Sequence, residues 1–184
     1  MSTKTSTLPP VKIAVMIDGG FFVKRFNALY NKERKMNGAE VADYLYTLAH
    51  LHIGNENTLY RIFYYDCYPF AKNNNWHLHT NKVKELLKGT LKVEDIKEED
   101  VYIDIRQKGI DMKIGVDIAS MALKKFVDRI VLVSGDADFV PAAKLARREG
   151  IDFILDPMKA RVEPSLFEHI DGMDCPQIYI KKCP

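Results

Sequence analysis

Five aspartates stand where this chain could most readily do chemistry. Asp18 closes the apolar run VKIAVMI at 11–17, and Asp136 and Asp138 follow the run RIVLVS at 129–134. Asp111 and Asp117 lie in the segment KGIDMKIGVDIAS. Carboxylates ~4 Å apart repel by roughly 4 kcal/mol at an effective dielectric near 20, so crowding them requires a counter-charge. A divalent cation with oxygen ligands supplies it, and Mg²⁺ or Mn²⁺ suits carboxylates and water.

Each acid also has an ordinary reading. Asp18-Gly19 is a common turn pair, and Asp136 after Gly135 is a plain loop acid. Asp138 stands where a helix N-cap belongs, with Pro141 tolerated in the first turn. On a wheel from Ile114, Asp117 shares a polar arc with Ser120 and Lys124, as a solvated acid near Lys113 does. Asp111 reads equally as the cap of that helix. The combination, not any one acid, points to a cation.

The elements that must position these acids alternate. Apolar or β-branched runs predict strands at 11–17, 59–66, 102–106, 129–134, 151–155 and 178–180. Amphipathic stretches predict helices at 21–30, 39–50, 76–87, 114–126, 139–148 and 166–170. Such alternation implies an α/β fold, a mostly parallel central sheet with helices on both faces in three α/β/α layers. In that fold ligands gather beyond the carboxyl ends of the strands. If the strands at 11–17 and 129–134 are neighbours, Asp18, Asp136 and Asp138 share one rim. Residues 1–10 are expected to form a disordered arm and 11–184 a single domain, with the charged stretch 92–100 a solvated loop or helix end.

Composition narrows the classes. The 184 residues carry Lys+Arg 27 against Asp+Glu 25, a net charge of +2 that implies no strong attraction to polyanions by itself. No apolar run approaches a membrane span, and the start MSTKTSTLPP lacks a secretory apolar core. Cys67, Cys175 and Cys183 are scattered and odd in number, which excludes a disulfide framework and a thiolate zinc site. A soluble protein of the cytoplasm is the expectation. His50/His52 and His77/His79 sit two apart, a spacing that points them away from each other on a helix, so surface or core roles suit them better than metal ligation. A dehalogenase-type phosphatase needs a second Asp where Gly20 stands, and a phosphoacceptor receiver needs paired acids where Met16-Ile17 stands.

Three ordered segments, VMIDGGFF, QKGIDMKIGVDIAS and IVLVSGDADFVPAAKLARREG, together resemble the NYN domains, specifically the LabA-like branch of the PIN-like nuclease superfamily. The resemblance runs from Val11 to about Met158. It implies a PIN-like α/β/α sandwich whose acidic cluster binds Mg²⁺ or Mn²⁺ and hydrolyses RNA. By that resemblance Asp18, Asp117, Asp136 and Asp138 are the catalytic acids, and Asp111 joins them as a metal ligand. Many members carry Asn two positions after the first Asp-Gly; here Phe21 stands there, and the backbone N–H groups of Gly19 and Gly20 are the expected substitutes.

For RNA contacts the sequence offers Lys24, Arg25 and Lys113, with Phe21 or Phe22 as a stacking surface. Arg147 falls ~13 Å along its helix from Asp138, so Lys144, Arg147 and Arg148 read as a solvated face. The alternative function is a catalytically weak or inactive domain that binds RNA or protein as a regulator. A homodimer is expected on family analogy alone.

Overall fold

The computed structural model describes residues 9–30, 36–66, 76–103 and 109–178. Expectations for residues 1–8, 104–106 and 179–180, and for Cys67 and Cys183, lie outside the described residues. The chain divides into two units, one of residues 1–66 and 109–184, the other Cys67–Lys108.

In the larger unit, the run after Val11 forms β1 (Lys12–Asp18), followed without a turn by α1 (Gly19–Tyr30). α2 (Gly38–Ile53), β2 (Thr58–Tyr65), α4 (Ile110–Leu123), β5 (Arg129–Val133), α5 (Val140–Arg148), β6 (Asp152–Asp156), α6 (Pro164–Phe167) and β7 (Gly172–Met173) complete it. The strands make one sheet in the order β2-β1-β5-β6-β7, and every pair is parallel. The expected α/β sandwich is observed.

Burial on both faces explains why β1 and β5 are continuously apolar. Ile13, Val15 and Ile17 pack with Phe22 and Phe26 of α1 and Leu48 of α2, while Ala14 and Met16 pack with Ile114 and Ile118 of α4. Each fully buried Ile, Val or Phe contributes about 1.5–3 kcal/mol, so this alternation fixes the register of the central strands. Two helical layers thus clamp β1 against β5, and the carboxyl ends of both strands open on the same rim.

The smaller unit is brief. β3 (Trp76–Leu78) pairs antiparallel with β4 (Val101–Ile103), with α3 (Thr80–Leu87) and two short 3₁₀ turns between them in sequence. The expected helix at 76–87 is therefore corrected. Its first three residues are drawn into a strand by pairing Trp76 with Ile103 and Leu78 with Val101, a long-range contact that overrides the local pattern. Of the last predicted strand, 178–180, only Ile178 is among the described residues, and it lies outside any strand; the last strand described is the two-residue β7.

Candidate metal centre

Asp18 is the last residue of β1 and is only 7% exposed. Its Oδ1 accepts the Phe21 N–H at 3.1 Å, so it caps α1 directly at the strand-to-helix junction. The junction is tight. A Cβ on Gly19 would lie 2.7 Å from the Tyr65 carbonyl oxygen and 2.8 Å from the Tyr64 ring. Gly19 is there for close approach of β2, and the Gly20 N–H also faces the Asp18 carboxylate.

Ser134, fully buried just past β5, links the two strand ends. Its hydroxyl donates to Asp18 Oδ2 at 3.4 Å and accepts the Asp136 N–H at 3.4 Å. Asp136 then caps the 3₁₀ turn Ala137–Phe139, its Oδ1 accepting the Asp138 N–H at 3.0 Å. The cap is therefore Asp136, not Asp138, because a turn of 3₁₀ helix precedes α5. Asp138 is left with its carboxylate exposed beside that of Asp136.

The third member comes from α4. Gly109, in the left-handed region at φ 88°, starts this helix at Ile110, four residues before the predicted start. Asp111 consequently lies in the first turn rather than ahead of it. Its carboxylate meets those of Asp136 and Asp138, each offering an oxygen within 4.8 Å of the others. Partial burial, with Asp18, Asp136 and Asp138 nearby, raises the Asp111 pKa above the ordinary carboxylate range. Burial raises that of Asp18 as well, against the pull of its hydrogen bonds, and the charge of Asp136 adds to the rise.

Asp117 is not brought into this trio. It lies further along α4, where its Oδ2 accepts the Tyr65 hydroxyl at 2.7 Å. Tyr65 ends β2 in register with Asp18. Burial and the Asp117 carboxylate hold the Tyr65 phenol far above its ordinary pKa, so it remains a donor. Ser134 and Tyr65 were missed as site residues in the sequence reading. A serine ending the buried run RIVLVS must find a polar partner, and that signal was available; Tyr65 sits among other aromatics and gave none.

The expected substrate contacts divide. Lys24 and Lys113 are exposed, but Arg25 turns its guanidinium onto the Met158 carbonyl, with Nε at 3.2 Å and Nη2 at 2.9 Å. Phe22 is wholly buried, whereas Phe21 is half-exposed and lines an open groove of about 430 Å³ with Gly135, Asp136 and Glu163. Asp111 and Asp138 border a second groove of about 540 Å³ between α4 and α5. Among the described residues, no helix is long and apolar enough to cross a membrane.

Comparison with known proteins agrees with this architecture. A family model, the NYN domain, matches residues 12–163. Among solved structures, a protein of unknown function, VPA0982 from Vibrio parahaemolyticus, superposes with a TM-score of 0.54 at 19% identity, covering 94% of this chain and 97% of that one. At that identity the likeness concerns the fold. No curated protein matches the sequence.

Proposed function

The chain belongs to the NYN domain family, a family of nuclease type, and from that premise we propose that it is a metal-dependent ribonuclease. The observation that carries the reading is the convergence of Asp111, Asp136 and Asp138 from two separate elements to within 4.8 Å. Three acceptor-only carboxylates at this spacing fit Mg²⁺ or Mn²⁺, which keep water among their ligands. Bound there, such an ion would polarise the scissile phosphate and lower the pKa of an attacking water.

The chain's own groups divide the remaining work. Asp136 keeps Oδ2 for the cation while Oδ1 holds the turn that presents Asp138. Asp18 has both oxygens engaged, with Phe21 and Ser134, and serves as a buried anchor that positions Asp136 through Ser134. Asp117, held by Tyr65, is the outer acid of the same helix. Lys24 and Lys113 offer exposed positive charge to the phosphates, and Phe21 offers a ring face to a base.

One observation favours a second reading, a catalytically inactive domain that regulates by binding RNA or protein. The chain has Phe21 where many members of the family it resembles have Asn. Incubation of labelled RNA and DNA with Mn²⁺, with Mg²⁺ and with chelator separates the two. Cation-dependent RNA cleavage is expected; binding without cleavage leaves the regulator, and cleavage that survives chelator removes the metal mechanism.

A further inference from the structure

The groove between α4 and α5 differs in kind from the acids at its rim. Its walls descend from those acids: Asp111 opens α4 and Asp138 leads into α5, while Met112 and Val116 on one side and Pro141 and Leu145 on the other form an almost wholly apolar floor. Met112 is 74% exposed and Val116 61%, so two large apolar side chains stand open to water beside a cluster of charges. Residues 112 and 116 are one helical turn apart and therefore share a face. Exposed apolar side chains scattered singly are ordinary; a continuous pair facing a second apolar wall marks a binding groove.

Resting on the nuclease reading above, we propose that this groove is a base subsite, holding the unpaired nucleobase next to the phosphate at Asp111, Asp136 and Asp138. The occupant must combine an anionic group, placed at the cation, with a flat apolar body close to it, and a nucleotide joins these within a few bonds. At about 540 Å³ the groove has the size of a small-molecule site. Among the described residues, its floor presents no side-chain hydrogen-bond donor, since the polar side chains along it are the two carboxylates. Recognition there is by stacking and burial, which every base can provide, and a base seated in it is withdrawn from any duplex. Asp136 also borders the groove lined by Phe21, so members of the trio border two places for bases.

Photo-crosslinking tests the assignment. A short RNA carrying one 4-thiouridine is irradiated with the full chain in Mn²⁺, and cleavage is followed in parallel. Adducts are expected on peptides containing 112–116 or 141–145. The double variant Met112→Ser/Val116→Ser should lose adducts about fivefold and raise KM by about five- to tenfold, with Mn²⁺ affinity kept within about twofold. An abasic nucleotide at the crosslinking position should raise KM similarly in the wild type, while exchange among the four bases changes it by less than about threefold. Adducts mapping elsewhere, or a KM indifferent to the abasic nucleotide or the double variant, would overturn the subsite while leaving the nuclease reading intact. RNA that is neither bound nor cleaved overturns both.

Discussion

The Tyr65 hydroxyl donates to Asp117 Oδ2 over 2.7 Å and joins the end of β2 to the middle of α4. Asp111 lies about one and two-thirds turns earlier on the same helix, and its carboxylate meets Asp136 and Asp138 instead. Two acids of one helix are given different work by their neighbours.

That division sets an order of mutational effects. Asp136→Asn removes a charge from the converging trio and should lower initial rates in Mn²⁺ by about 10²–10³-fold. Asp117→Asn, like Tyr65→Phe, disturbs an outer group and should cost about tenfold. Rates measured side by side with saturating Mn²⁺ check the order; a larger loss at Asp117 would place the ion further along α4.

Both Asp18 and Asp111 titrate above their ordinary value of 3.8 in the metal-free fold. The folded chain then keeps protons that the unfolded chain has released, so the stability from this source is full below 3.8 and is lost as pH rises through the raised values. Metal-free melting temperature should therefore rise in Asp111→Asn at pH 7, where a crowded charge has been removed. Mn²⁺ should stabilise the wild type more at pH 7 than at pH 5, and that increment should shrink in the variant. Differential scanning fluorimetry across pH reads both signs.

Adjacent phenylalanines on α1 should behave oppositely. Phe22 is buried against Phe26 and Tyr44, with ring centroids 5.8 Å and 6.1 Å away, and Phe22→Ala should cost about 3–5 kcal/mol in urea unfolding. Phe21→Ala opens the groove beside Asp136 and should show mainly as a severalfold higher KM for RNA.

The strand-end acids were legible because a parallel sheet sends neighbouring strands the same way, so Asp18 and Asp136 had to share a rim once β1 and β5 paired. The elements of both helical layers followed from the apolar spacing of Ile114, Ile118 and Ala122 and of the Phe22/Phe26 pair. Asp111 was harder to place because the start of α4 depends on the left-handed Gly109, a backbone choice that periodicity does not encode. Contacts between distant segments left no local trace. The Arg25–Met158 bond and the strand formed by Trp76–Leu78 both depend on residues far away in the chain.

His52 is another such case. Its Nε2 donates to Asp156 Oδ2 at 2.9 Å, with both side chains 1% exposed, while Asp156 Oδ1 accepts the Met158 N–H at 2.8 Å. The sequence placed His52 on a surface or in a core rather than on a metal, and the core is where it lies. Removing the partner of a buried carboxylate strands its charge, so His52→Ala should cost about 3–5 kcal/mol by urea unfolding while leaving Mn²⁺ affinity unchanged.

The central claim is that Asp111, Asp136 and Asp138 together hold a divalent cation, and titration of free Mn²⁺ by electron paramagnetic resonance tests it without any substrate. The free-ion signal should be depleted by the wild-type chain, with affinity at least about tenfold weaker in Asp111→Asn, Asp136→Asn and Asp138→Asn. A signal that the wild type leaves untouched, or that the three variants deplete as well as it does, would contradict the account.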